Sequence, residues 1–171
     1  MQFQKILPLL FLFLSVSLSA NNKIMCDELA IADLPNEISI IKNVVVQNRT
    51  DLPDFCQIIG VIEPSINFEA RFPLSGWNGN YFQAGCGGFC GLVLPERETH
   101  SNSINHALRQ GYAAITTDSG HAGDHIGDAR WAKDNSLAEQ VYAGDILPIT
   151  HAAGHKLIKA IYGMKPSYSY F

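Results

Sequence analysis

Six glycines fall among the sixteen residues from Gly76 to Gly91, and four of them, Gly85, Gly87, Gly88 and Gly91, stand within seven positions. Glycine gives up more backbone freedom on folding than any other residue, so such a cluster implies a backbone that bends sharply or approaches another group closely. Trp77-Asn78-Gly79 reads as a tight turn, Tyr81 to Ala84 as a short apolar strand, and residues 85 to 91 as a loop. A strand that enters a Gly-Gly loop ahead of a helix is well placed to present backbone N–H groups to a negatively charged oxygen. The plainer alternative is a surface turn pinned by a disulfide, with no chemistry of its own.

The chain has 171 residues, of which 47% are hydrophobic and 16% charged. That composition is globular, with room for one domain and a sizeable core. A formal charge of −4 gives no electrostatic basis for binding nucleic acid or an anionic membrane. Residues 1–20 have the order of a secretory signal: Lys5, an apolar run from Ile6 to Leu14, and a small-residue end at Ser15 to Ala20. Asn21-Asn22-Lys23 follows with no stop-transfer pattern. A secreted or periplasmic mature domain over 21–171 is therefore expected, free of the membrane once the signal is cut. The four cysteines, Cys26, Cys56, Cys86 and Cys90, all lie in that domain, and an even count in an oxidising compartment suggests disulfides. Three connectivities are formally open; distance in sequence favours Cys26 with Cys56 and Cys86 with Cys90. No segment signals a particular oligomeric state.

Taken in order, Cys26 to Ala32 reads as a short helical turn ended by Pro35-Asn36. The β-branched run Ile38 to Val46 and the stretch Ile58 to Ile62 read as strands. Asn48-Arg49-Thr50 has the glycosylation acceptor pattern, relevant only in a eukaryotic secretory pathway. Residues 66 to 72 alternate with Ile66, Phe68, Ala70 and Phe72 on one face, predicting a half-buried strand. A helix from an N-cap at Ser103 to Gln110, stopped by Gly111, leads to a buried strand over Tyr112 to Thr117. Leu137 to Tyr162 carries apolar residues at three- and four-residue steps, Tyr142, Ile146, Ile149, Ala153, Leu157 and Ile161, so it predicts a long helix. Pro148 should kink that helix near Gly144. Ser167 to Phe171 is again strand-like. The alternation of strands and helices implies an α/β fold with a largely parallel sheet covered on both faces.

Several residue sets offer chemistry. His151 and His155 are four apart on the long helix, a spacing that suits a metal given a third ligand, but they fall opposite the apolar stripe and read as solvated. Asp118, His121, Asp124, His125 and Asp128 cluster after a strand's carboxyl end, where open α/β sheets place their sites. Their spacing matches no calcium loop, and Asp118 and His121 are expected to pin the loop by hydrogen bonding. No metal site is assigned. Ser119 has Gly120 after it but Thr117 two before it, which departs from the Gly-x-Ser-x-Gly nucleophile turn. A Cys86 or Cys90 thiolate nucleophile would need a free thiol, which a disulfide removes.

Five further blocks accompany the glycine loop: Trp77-Asn78-Gly79, Gln110-Gly111-Tyr112-Ala113, Thr117-Asp118-Ser119-Gly120-His121, Asp128-Ala129-Arg130-Trp131-Ala132 and Tyr162-Gly163-x-x-Pro166-x-x-Ser169-Tyr170-Phe171. In this order they resemble the successive blocks of the tannase and feruloyl esterase family, from about Cys26 to the last residue. The resemblance implies the N-terminal part of an α/β-hydrolase fold, incomplete here. It also implies secretion and hydrolysis of phenolic-acid esters such as gallates or hydroxycinnamates by a Ser-His-Asp triad, with no cofactor.

In that family the block ending Ser-Tyr-Phe precedes a Gly-Cys-Ser-x-Gly-Gly nucleophile elbow, so no catalytic triad residue is assigned in this chain. The glycine loop, at Gly87 and Gly88, corresponds to the oxyanion loop. Cys26 with Cys56 resembles an N-terminal family disulfide, whereas Cys86 and Cys90 stand where the family often has other residues. The isolated chain is then expected to be inactive. The alternative is a small exported, disulfide-stabilised binding or structural module without catalysis.

Overall fold

The computed structural model describes Asn22 and residues 25–29, 34–98 and 102–171. The signal-like segment 1–20 lies outside these residues. Three strands open the fold as an antiparallel meander: Ile38–Val46 (β1), Phe55–Ile62 (β2) and Ile66–Pro73 (β3). Val46 pairs with Phe55 and Ile62 with Ile66, so a loop over 47–54 and a tight turn over 63–65 join neighbours. Asn80–Gln83 (β4), Ala113–Thr117 (β5) and Tyr168–Tyr170 (β6) complete a six-stranded sheet in the order β1-β2-β3-β5-β4-β6.

The α/β class holds, and within these residues the sheet is mixed. β3 pairs antiparallel with β5, and only β5-β4 and β4-β6 are parallel. The expectation of a largely parallel sheet is corrected by the meander: strands joined by turns must reverse direction, whereas β4, β5 and β6 are separated by helical crossovers that restore it.

Those crossovers cover opposite faces. Asn105–Arg109 (α1) lies between β4 and β5; Ser136–Gln140 (α2) and Ile146–Tyr162 (α3) lie between β5 and β6. Pleating assigns the sides, since successive side chains alternate. Phe68, Ala70, Phe72, Tyr81, Ala113 and Ile115 join the core beneath α3, with Ala153, Leu157, Ile158 and Ile161. Ala114 and Ala84 instead join Ile104 and Ala107 at α1. A Cβ on Gly154 would stand 2.3 Å from the Tyr81 hydroxyl, so α3 seats closely on the sheet only because that position is glycine.

The long helix is interrupted as Pro148 predicts. Val141–Asp145 forms a π-helical turn between α2 and α3. Pro148 has no N–H to offer the Gly144 carbonyl, and its ring crowds that turn, so the backbone widens there. Asn135 caps α2 through its side chain, which accepts from the Ala138 N–H. Gly163, at φ 73°, ends α3 in the left-handed conformation. Ser103 is not the cap of α1: Ile104 occupies that position and the Ser103 hydroxyl donates to the Pro95 carbonyl at 3.1 Å.

Contacts explain the spaced sequence blocks. Asn78 donates from its backbone to Gly111 and from its side chain to the Gln110 carbonyl. Trp77 stacks on Tyr162, with ring centroids 4.1 Å apart. Gly111, at φ 81°, has the Gly76 carbonyl oxygen 2.7 Å from where a Cβ would be. The turn before β4 is thus clamped between the ends of α1 and α3. Cys26 and Cys56 are bonded, tying the N-terminal helical turn to β2. Cys86 and Cys90 are bonded as well.

Candidate functional site

Strands β5, β4 and β6 run parallel, so their carboxyl ends share one edge of the sheet. The glycine loop follows β4 there, the Asp118 loop follows β5, and Phe171 follows β6. Phe171 packs on the loop: its ring is 3.0 Å from where a Cβ on Gly85 would lie. Open α/β sheets place ligand sites at this edge.

The Gly87 carbonyl accepts from the Cys90 N–H at 3.1 Å, closing a turn over residues 87–90. Gly88 sits at its first central position with φ 60°, a conformation that favours glycine. In a trans peptide the C=O of one residue and the N–H of the next point in opposite directions. The Gly87 carbonyl faces into the turn, so the Gly88 N–H faces out of it. Both Gly87 and Gly88 are exposed, and neither N–H bonds to any described residue. The next amide is committed: the Phe89 N–H donates to the Ile126 carbonyl at 2.7 Å.

Residues 118–142 hold this turn from beneath. The Tyr142 hydroxyl donates to the Gly88 carbonyl at 2.7 Å. His121 Nε2 lies 2.6 Å from the Phe89 carbonyl, an acceptor only, so that nitrogen carries the proton and donates. The His121 ring stacks on Trp131 with centroids 3.7 Å apart. The Gly91 N–H donates to the Asp118 carbonyl, and Gly123 donates back to Gly91. Asp118 accepts from the Asn67 backbone and side chain and from the Gly120 N–H. Burial pushes its carboxyl above the ordinary value, against the lowering effect of those hydrogen bonds.

Asp118 and His121 therefore both face neighbouring protein groups. Asp124 and Asp128 are occupied by Arg130, whose guanidinium hydrogen-bonds both carboxylates and holds Asp128 well below the usual carboxylate range. Among the described residues no group of three or more His, Cys, Asp or Glu side chains is arranged to hold a metal ion. Ser119 has no base among the described residues: its Oγ is 3.2 Å from Cys86 Sγ, while His121 is turned to Phe89. Asn48 is exposed in a left-handed turn after β1. His151 is exposed, but His155 is half-buried, 2.9 Å from the Ser169 hydroxyl, and both rings lie edge-on to Tyr81. The pair thus flanks β4 and β6, because residues 151 and 155 border the buried stripe through Thr150 and Gly154. Burial, and then the nearby His151, lower the His155 pKa.

One charged cluster has no counterpart in the sequence reading. Arg71 is 1% exposed, bridges Glu69 at 2.7 Å and Glu96 at 2.6 Å, and lies over the Phe55 ring. The second face of β3 is therefore buried from Glu69 to Pro73, with only Asn67 exposed, where alternation predicts a solvated face. The signal available was a Glu-x-Arg pair in an otherwise apolar strand, which does not reveal that Asn105 and Glu96 will arrive from elsewhere.

A family model described as tannase and feruloyl esterase matches residues 50–171. An uncharacterized esterase of Xanthomonas campestris is 38% identical over 124 residues, 70% of this chain and 20% of its own length. An uncharacterized esterase of Agrobacterium fabrum is 32% identical over 91 residues, 48% of this chain and 16% of its own. The crystal structure of feruloyl esterase B from Aspergillus oryzae superposes with a TM-score of 0.72 at 21% identity, over 87% of this chain and 31% of that one. A second Aspergillus oryzae esterase superposes with a TM-score of 0.67 at 18% identity, over 86% and 32%. At those identities the structural likeness bears on the fold. The chain spans at most a fifth of the length of these two relatives.

Proposed function

This chain belongs to the tannase and feruloyl esterase family, and from that premise we propose that it forms the oxyanion-binding part of an exported ester hydrolase. The observation that carries the reading is the outward Gly88 N–H, without a partner among the described residues, at the shared carboxyl edge next to the equally exposed Gly87. Ester hydrolysis passes through a tetrahedral intermediate whose carbonyl oxygen becomes an anion. A fixed backbone donor aimed at that oxygen strengthens its hold as charge develops, which is worth about 3 to 4 kcal/mol per donor. The turn needs no reorganisation to do this, since Tyr142, His121 and Ile126 fix it on three sides.

The attacking serine, with histidine as general base, would be carried by polypeptide outside these 171 residues. By analogy with the family, we put that serine on a turn following β6. Phe171, at the end of β6, already touches the glycine loop, so a nucleophile on that turn would stand beside Gly85 and the donors that follow it. The substrate class proposed is esters of phenolic acids. Export fits two disulfides, which persist in oxidising compartments.

The test is a chimera in which residues 50–171 replace the matching segment of the Xanthomonas campestris relative. Hydrolysis of methyl gallate, methyl ferulate and an aliphatic methyl ester is then measured. The chimera is expected to prefer the aromatic acids, and Gly87→Pro, which deletes one N–H, to lower kcat by about 100- to 1,000-fold. A folded chimera inactive on every ester refutes the hydrolase reading. Full activity in Gly87→Pro refutes that residue as a donor.

A further inference from the structure

The two disulfides differ in how a reagent can reach them. Cys26 and Cys56 are both 0% exposed, inside the main core. Cys86 is half-buried, and the three residues after it, Gly87, Gly88 and Phe89, are exposed; Cys90 behind them is 2% exposed. Exposed disulfides are the labile ones, because exchange requires a thiolate to reach one sulfur.

We propose that Cys86–Cys90 is a thiol–disulfide exchange site, opened by a dithiol reductant while Cys26–Cys56 stays oxidised, and that its opening loosens the glycine loop. The reductant's thiolate attacks Cys86 Sγ, the accessible sulfur. The S–S bond breaks, and Cys90 leaves as a thiolate that takes up a proton and can donate to the Thr117 carbonyl, 3.6 Å away. The reductant's second thiolate then attacks its own sulfur in the mixed disulfide and expels Cys86, which is protonated in turn. Two electrons pass to the protein, and the dithiol becomes a disulfide.

Ser119 favours the second step. A disulfide sulfur has no hydrogen, so at 3.2 Å the Ser119 hydroxyl is the donor to Cys86 Sγ, and a departing thiolate accepts that bond more strongly. The bond also has structural weight for the loop. Cys90 is held at φ 61°, a left-handed conformation uncommon outside glycine, at the end of a segment with glycine at 85, 87, 88 and 91. Cutting the bond frees the one residue there that resists this conformation.

The consequence for catalysis rests on the reading of Gly87 and Gly88 as oxyanion donors; the test does not. The 171-residue chain is equilibrated with increasing dithiothreitol, quenched with N-ethylmaleimide and mapped by peptide mass, with amide hydrogen exchange followed in parallel. Cys86 and Cys90 should be alkylated at a reductant concentration at least about tenfold below that needed for Cys26 and Cys56. Over the same range, exchange at Phe89, Cys90 and Gly91, whose N–H groups are bonded in the oxidised form, should accelerate at least about tenfold. The double variant Cys86→Ser, Cys90→Ser should show that faster exchange without reductant. Alkylation of all four cysteines together, or of Cys26 and Cys56 first, overturns the exchange site. Selective alkylation with unchanged exchange at Phe89 to Gly91 overturns its coupling to the loop.

Discussion

Replacing Gly88 by alanine tests how firmly the 118–128 loop holds the candidate donor. Two effects act together. At φ 60° an L side chain sits in the left-handed region, a cost of about 1 to 2 kcal/mol. The added Cβ would also lie 2.2 Å from the Ile126 carbonyl oxygen, which is backbone and cannot swing away like a side-chain end. Relief requires the two loops to separate, which gives up the Phe89 to Ile126 hydrogen bond, a further loss of about 1 kcal/mol. Gly76→Ala is the matched control: φ is 69° there, and a Cβ would meet nothing within 4 Å. The two variants share the left-handed penalty and the stiffening of the unfolded chain, so their difference isolates the contact. Urea unfolding followed by Trp77 and Trp131 fluorescence is expected to place Gly88→Ala about 1 kcal/mol or more below Gly76→Ala. Equal stability in the two would refute the seating of the turn on Ile126.

Arg71→Ala should cost about 3 to 5 kcal/mol, because Glu69, 9% exposed at its side chain, is left buried without its cation. Arg109→Ala, where the cation is 35% exposed and its partner Glu98 38%, should shift the urea midpoint far less, and equal losses would contradict the burial argument. Acid should destabilise the fold: Lys156 lowers the Glu37 pKa and Arg49 that of Asp51, so each binds its proton more weakly folded than unfolded. Their contribution is present above the ordinary values of 4.5 and 3.8 and is lost as pH falls through the folded values. Lys156→Ala should therefore flatten the fall in the urea midpoint below pH 4.5, and an unchanged slope would exclude that ion pair as a source. With no base beside Ser119 among the described residues, a fluorophosphonate probe should leave the 171-residue chain unlabelled, as mass spectrometry of the treated protein would show.

Local pattern located most elements and fewer of their neighbours. β1 falls where the β-branched run predicts it, and β3 and β5 match within a residue of their alternating or apolar stretches. The long helix is present with its break where Pro148 requires one. Ser103 misleads because a serine ahead of an apolar run is also a good partner for a carbonyl, and Pro95 is within reach. The insertion of β5 between β3 and β4 is not written in any single window, since it depends on pairing between strands far apart in sequence.

The site divides in the same way. Glycines at 88 and 91 announce left-handed backbone by their identity, and their φ values are 60° and 83°. The groups that fix that backbone come from elsewhere. Tyr142 reaches Gly88 across 54 positions and His121 reaches Phe89 across 32, and neither residue type betrays such a partner. Arg71 shows the opposite difficulty, a charge in a strand whose burial depends entirely on what folds over it.

The interleaved strand order has a consequence for synthesis on the ribosome. β4 is made before both of the strands it lies between, and its glycine loop before Tyr142 and the Asp118 loop. The β1–β3 meander can close as it emerges, because its partners are adjacent in the chain. The glycine segment must wait, solvated and unrestrained, until nearly all of this polypeptide has been extruded. A loop that Tyr142, His121 and Ile126 hold on three sides in the finished protein is thus among the last parts to be fixed.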